Sequence, residues 1–315
     1  MDIKSNKLIV ILGPTASGKT DLAIRLAKKF NGEIVSADSR QVYKEMDIGT
    51  AKPEKKERKA IPHYLIDIIK PTQEFNVAIF KKLAVEAIKK IQKNGKIPFL
   101  VGGTGLYIKA IIDNIKFPNV LPKKSLRKTL ERKSEKELFK IYKKLDPRGA
   151  KIIDRKNKRR LIRAIEVSKI TKKPFWQQRE KGEPIFNPLI IGVKLPEEEL
   201  KKRVKTRVEK MFKSGLENEV KNLTKKYSWN IPSLQTIGYQ EWKEYFTKKP
   251  AITKKELKEK IKLHTIQFTK RQMTWFSARG GSAVSGKKDE RIRWVKNYRK
   301  AEKLIKKFLK KKRGR

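Results

Sequence analysis

The stretch Gly13-Pro14-Thr15-Ala16-Ser17-Gly18-Lys19-Thr20 constrains the fold of this chain more than any other. It fits G-x-x-x-x-G-K-[ST] at every position. The apolar run Leu8–Leu12 precedes it, and Leu22, Ala23, Leu26, Ala27 and Phe30 follow at helical spacing. That order predicts a buried strand, a glycine loop and a helix whose apolar face packs on a sheet. Backbone N–H groups of such a loop converge on one spot, where the helix dipole also favours an anion. Lys19 adds a full charge, and the Thr20 hydroxyl is a candidate magnesium ligand. The loop specifies a phosphate or pyrophosphate, not a reaction.

Further strand candidates are Glu33–Ala37, Tyr64–Ile68 and Ile97–Val101, with a helix over Ala78–Gln92 between the last two. Strands alternating with helices predict an α/β fold, a P-loop NTPase-like parallel sheet flanked by helices. Ligands of such sheets sit beyond the carboxyl ends of the strands. Asp38 and Gly102-Gly103-Thr104 are therefore expected beside the glycine loop. From about residue 119 to 186 strand signals vanish, and helical segments are expected over Ser125–Leu145 and Ala150–Lys169. Leu189–Leu195 then reads as another strand. A helical block between two strands of one sheet predicts an inserted all-helical domain, 119–186, within a core of 1–118 and 187–315. The end of the chain, Lys303–Arg315, reads as a lysine-rich helix or a frayed tail.

The chain of 315 residues carries 82 Lys+Arg against 33 Asp+Glu, a net charge of +49. The expected insert holds 23 basic and 8 acidic residues. Such an excess points to a polyanionic partner, or to lysine filling every exposed position. Absence of cysteine excludes disulfides, zinc fingers and thiol catalysis. No run is long enough for a membrane span and no signal-type segment opens the chain, so a cytoplasmic protein without a membrane partner is expected. A kinase or NTPase using ATP is the default for the loop, yet Ile97–Val101 ends in Gly-Gly-Thr without the usual magnesium-holding acid. Asp38, ending its own strand, is free to act as metal ligand or base.

Several segments together resemble the tRNA dimethylallyltransferases, in that family's order. They are Gly13–Thr20, Asp38–Tyr43, Met46–Pro53, Pro62–Asp67, Val101–Tyr107, Arg160–Val167 and Gly238-Tyr239. The bacterial form is the nearer likeness, since no zinc finger follows. The resemblance implies transfer of a dimethylallyl group from its pyrophosphate to the exocyclic amine of an adenine just 3′ of a tRNA anticodon. It implies Asp38 as general base, Thr15 as a positioning group and Lys19 as a stabiliser of the leaving group. The pyrophosphate would be held by Gly13, Thr15, Ala16, Ser17, Gly18, Lys19 and Thr20, with Arg203 and Arg207 on the far side and Mg2+ on Thr20. The tRNA, through its anticodon arm, would meet Asp38, Ser39, Arg40, Gln41, Thr104, Arg127, Arg159, Arg160, Leu161, Ile162 and Arg163. Gln235, Thr236, Ile237, Gly238, Tyr239 and Gln240 would complete that contact. A monomer is expected. Lys270–Phe276 interleaves basic and aromatic residues and reads equally as an RNA platform or as core. His63 and His264 read as packing residues.

Overall fold

Alternate residues of the first apolar run point to opposite sides, and each side is buried. Leu8, Val10 and Leu12 enter one hydrophobic cluster, while Ile9 and Ile11 enter another. A strand apolar on both faces belongs inside a parallel sheet covered by two helical layers. The computed structural model describes residues 6–178, 180–247, 252–277 and 289–310. In chain order it begins with β1 (Lys7–Leu12), α1 (Lys19–Lys29), β2 (Gly32–Ser36), α2 (Lys55–Ala60), β3 (His63–Tyr64), α3 (Val77–Lys93), β4 (Ile97–Gly102) and α4 (Gly105–Ile112). The helices α5 (Lys124–Glu131), α6 (Glu135–Leu145), α7 (Pro147–Ala150) and α8 (Lys158–Thr171) come next. Then follow β5 (Asn187–Val193), α9 (Glu197–Lys213), α10 (Leu216–Lys226), α11 (Trp242–Thr247), α12 (Lys254–Ser277), β6 (Arg293–Val295) and α13 (Tyr298–Lys310).

The chain divides into two units. The first comprises Met1–Ile112, Ile185–Gly281 and Lys288–Arg315. Its six strands lie in the order β3-β2-β4-β1-β5-β6, and every pair is parallel. α3 and α4 cover one face through Phe80, Ala84, Ile88, Ile108 and Ile111. α1 and α13 cover the other through Ala23, Leu26, Ala301 and Ile305. A third cluster joins α9, α10, α11 and α12 to the segment after β2 through Val42, Met46, Val204, Val208, Trp242 and Ile261.

The second unit comprises Asp113–Pro184, together with residues 282–287, which lie outside the described residues. Its core is Leu130, Leu138, Tyr142, Leu161, Ile165 and Phe175. The two ends of the unit run side by side: Ile115 and Lys181 form an antiparallel bridge, and Lys116 N–H donates to the Glu180 carbonyl at 2.9 Å.

Several sequence expectations are corrected. Tyr64–Ile68 yields only the two-residue β3, because Leu65 and Asp67 adopt φ of 63° and 57°. Ser125–Leu145 is two helices, divided where Ser134 caps α6 through the Glu137 N–H. Ala150–Lys169 is not one helix: Ala150 ends α7, and α8 starts only at Lys158, where the Asn157 side chain accepts from Arg160 N–H. Phe186, expected to close the insert, packs in the first unit's core. β6 was unanticipated. Lys303–Arg315 is helix as far as Lys310, with the rest outside the described residues.

Candidate active site

The P-loop begins at Gly13 because nothing larger fits: a Cβ there would meet Ser17 Oγ and the Val193 carbonyl, each at 2.9 Å. Ala16 and Gly18 adopt φ of 64° and 83°, which turns the chain sharply into α1. Alanine is an uncommon occupant of that left-handed region. Ser17 is 2% exposed, and its Oγ has no partner among the described residues. Lys19 Nζ donates back to the Pro14 carbonyl at 3.2 Å. Burial lowers the Lys19 pKa to about 8; Asp38 opposes that shift and Arg207 adds to it.

Asp38 follows β2, and its carboxylate accepts the Arg40 N–H at 2.8 Å. It is partly buried and exerts its field on both Lys19 and Arg207. Thr104 stands beside it: the Thr104 hydroxyl accepts Ser39 N–H at 3.1 Å, and Thr104 N–H donates to the Ala37 carbonyl at 3.2 Å. A Cβ on Gly102 would lie 2.1 Å from that same carbonyl, so the two strand ends meet closely. Ser36 Oγ donates to Gln41 at 2.9 Å. Arg203 and Arg207 lie one turn apart on α9. Arg203 pairs with Glu199 at 2.7 Å and brings its other nitrogen over Gly18, 3.1 Å from where a Cβ would stand. Burial lowers the Arg207 pKa while Asp38 opposes this, and the guanidinium stays charged at ordinary pH. Lys19, Arg203, Arg207 and Asp38 thus share one strand-end site.

The donor set fits a magnesium ion only in part. Among the described residues no group of three His, Cys, Asp or Glu could hold a metal. Magnesium is commonly held by few protein oxygens, with phosphate oxygens and water completing its shell. The Thr20 hydroxyl, for which no protein hydrogen bond is found among the described residues, suits that role.

In the second unit the expected RNA residues separate into two kinds. Arg127 and Arg163 both grip Glu166, which is fully buried: Arg127 reaches its two oxygens at 2.8 and 2.7 Å, and Arg163 reaches one at 2.7 Å. Burial alone would raise the Glu166 pKa, but these hydrogen bonds and the Lys123 N–H hold it below the usual carboxylate value. Arg163 also donates to the Val120 carbonyl at 3.0 Å. Leu161 and Ile162 face the core. Arg159 is exposed and Arg160 half-exposed.

The model of the family described as IPP transferase matches residues 41–279. A tRNA dimethylallyltransferase of Caldicellulosiruptor saccharolyticus is 47% identical over 282 residues, covering 87% of this chain and 90% of that protein. One from a Roseiflexus species is 45% identical over 274 residues, covering 85% and 89%. The chain belongs to the IPP transferase family. Among solved structures, the tRNA isopentenylpyrophosphate transferase of Bacillus halodurans is 36% identical, with a TM-score of 0.69 and coverage of 96% and 95%. A eukaryotic dimethylallyltransferase acting on tRNA is 27% identical, with a TM-score of 0.77 and coverage of 96% and 77%.

In this IPP transferase family member, the segment Gln235–Gln240 is built from its surroundings. Gly238 has φ of 94°, and its N–H donates to the buried Glu241 at 2.8 Å. Tyr239 is fully buried and donates to Glu219 at 2.8 Å, so its side chain is a support and not a surface. Gln235 is exposed and tethered to the Trp229 carbonyl; Thr236 donates to the Ser233 carbonyl; Ile237 and Gln240 are half-buried. Residue-level reading of the sequence did not single out Glu219, whose carboxylate also accepts the N–H groups of Asp47, Ile48 and Gly49. Nor did it single out Gln272, which reaches the P-loop. Lys270–Phe276 resolves in part as core, since Phe276 is buried and Trp275 packs beside Gly105. His264 pairs with Glu241 at 2.7 Å, and His63 Nδ1 bonds the Ile61 carbonyl at 2.6 Å.

Proposed function

We propose that this chain transfers the dimethylallyl group of dimethylallyl pyrophosphate to the exocyclic amine of the adenine immediately 3′ of a tRNA anticodon, releasing pyrophosphate. The observation that carries the reading is the pairing of a phosphate loop with a strand-end carboxylate, Asp38, beside Lys19 and Arg207. A kinase would place its acid after β4, where this chain has Gly103-Thr104.

The chemistry follows from that placement. The allylic C–O bond breaks, and negative charge builds on the departing pyrophosphate. The loop N–H groups, Lys19, Arg203 and Arg207 are arranged before the event to receive that charge. Magnesium bound at Thr20 would add Lewis-acid stabilisation of the same oxygens. The adenine amine is a weak nucleophile because its lone pair is delocalised into the ring. As the new C–N bond forms, Asp38 accepts the amine proton. The adenine must leave the anticodon stack to reach a strand-end site. Arg40, Gln41, Thr104 and the 235–240 segment are the first unit's candidates to receive it. Arg159 and Arg160 are the second unit's exposed candidates for phosphates or stacked bases. No helix among the described residues is long and apolar enough to cross a membrane. We place the reaction in the cytoplasm and on a monomer.

The test is incubation of the purified protein and unmodified tRNA with radiolabelled dimethylallyl pyrophosphate, in parallel with labelled ATP. Label should enter tRNA only from the prenyl donor. Phosphoryl transfer from ATP without prenyl transfer would overturn the reading.

A further inference from the structure

Gln272 is a polar residue 7% exposed near the end of a long helix. Its carboxamide has both ends engaged: Oε1 accepts the Thr15 N–H at 2.8 Å, and Nε2 donates to the Gly103 carbonyl at 3.0 Å. Only this orientation serves both partners, since the Thr15 amide only donates and the Gly103 carbonyl only accepts. Gly103 makes room for it. A Cβ at that position would lie 2.4 Å from Nε2. The bond takes the Thr15 N–H for the protein, and Ser17 N–H donates to the Pro14 carbonyl at 3.3 Å, which leaves the amides of Ala16, Gly18, Lys19 and Thr20 as the loop's donors for an anion. α12 is itself fixed along its length. Leu257 and Ile261 pack with Val204 and Val208 of α9, the helix of Arg203 and Arg207, and Phe276 packs with Leu100 of β4.

We propose that Gln272 is a positioning residue that clamps the leading half of the P-loop, at Thr15, to the turn after β4. This rests on the prenyl-transfer reading above. The clamp holds the Thr15 side chain toward the reacting groups, while the pyrophosphate itself is bound by the trailing half of the loop. Loss of the clamp therefore slows transfer more than it weakens pyrophosphate binding.

The test uses the full chain with Gln272→Met, close in volume and lacking both hydrogen bonds, and Gln272→Glu, which keeps an acceptor for Thr15. Hydrogen exchange at the Thr15 amide is read first. Exchange should accelerate about tenfold or more in the Met variant and less in the Glu variant. The kcat of transfer should fall about tenfold or more with Gln272→Met, while the inhibition constant of inorganic pyrophosphate stays within about threefold. In a Thr15→Ala background the same substitution should change kcat by less than about threefold, because both act through one group. Unchanged Thr15 exchange in both variants overturns the clamp. Equal kcat losses in the two backgrounds, or parallel losses of kcat and pyrophosphate affinity, overturn the positioning role. If wild-type protein transfers nothing, the functional reading fails separately, and Thr15 exchange still decides whether the clamp exists.

Discussion

Replacing Arg159 and Arg160 together by alanine should flatten the salt dependence of tRNA binding and leave pyrophosphate binding unchanged. Both residues lie in the first turn of α8, and neither guanidinium has an ion-pair partner among the described residues. Removing one phosphate contact should reduce the slope of log affinity against log salt by about 0.7–0.9, so removing two gives about 1.4–1.8. Arg163, on the same helix, would be the wrong choice. Its guanidinium is one-third exposed, but its partner Glu166 is fully buried, and Arg127 would remain as that carboxylate's single basic partner. Breaking a buried pair costs about 3–5 kcal/mol, and the partial exposure puts this one toward the low end. Binding would then fall because the unit loosens. The assay is tRNA affinity across a potassium chloride series, with thermal midpoint and pyrophosphate affinity as controls. Surface substitutions at these two positions should shift stability by no more than about 0.5 kcal/mol. A double variant with the wild-type affinity and slope would show that the second unit's charge is only lysine-rich surface. Loss of pyrophosphate affinity would show that the two arginines serve the fold.

Asp38→Asn should abolish single-turnover transfer while tRNA affinity stays within a few-fold, and a near wild-type rate would remove Asp38 from the chemistry. Lys19 supplies a pH test. Its pKa is lowered to about 8, so the loop carries its cation below that pH and loses it above. Affinity for dimethylallyl pyrophosphate should therefore fall as pH rises through about 8, by at most about tenfold per unit, and Lys19→Met should show no such step. The same affinity profile in the variant would exclude Lys19 as the source. Gly105→Ala should destabilise the first unit, because the new Cβ would stand 2.1 Å from the Trp275 ring; a thermal midpoint equal to wild type would contradict this packing.

The sheet was legible because its strands are apolar on both faces and are followed by strong loop chemistry. Leu8–Leu12 and Ile97–Val101 carry their own signal, and so does the amphipathic helix now seen over Val77–Lys93. β6 was not legible: three residues, Arg293–Val295, have no periodicity, and pairing with β5 alone makes them a strand. The end of β3 was not legible either. Asp67 turns away from the sheet to meet Lys52 and Arg58, contacts that the local sequence cannot announce. The P-loop carries its own motif and Asp38 ends a recognisable strand, whereas Arg203 and Arg207 were singled out only through the family resemblance, since their helix lies far along the chain from Gly18 and Asp38. Glu219 and Gln272 were not legible. Each acts across long stretches of chain, Gln272 on a loop 257 residues away. The same holds for the arginines on Glu166: their spacing suggests a basic face, but a buried carboxylate decides where two of them point.

If a phosphate loop and a strand-end carboxylate move a prenyl group onto one adenine, label and pyrophosphate must match one to one. The most direct measurement is to label unmodified tRNA with radioactive dimethylallyl pyrophosphate, count the pyrophosphate released, and map the label by nuclease digestion. One pyrophosphate should appear per label incorporated, with the label on the exocyclic amine of the adenosine 3′ of the anticodon. Label on another nucleotide, or pyrophosphate released without incorporation, would contradict this chemistry.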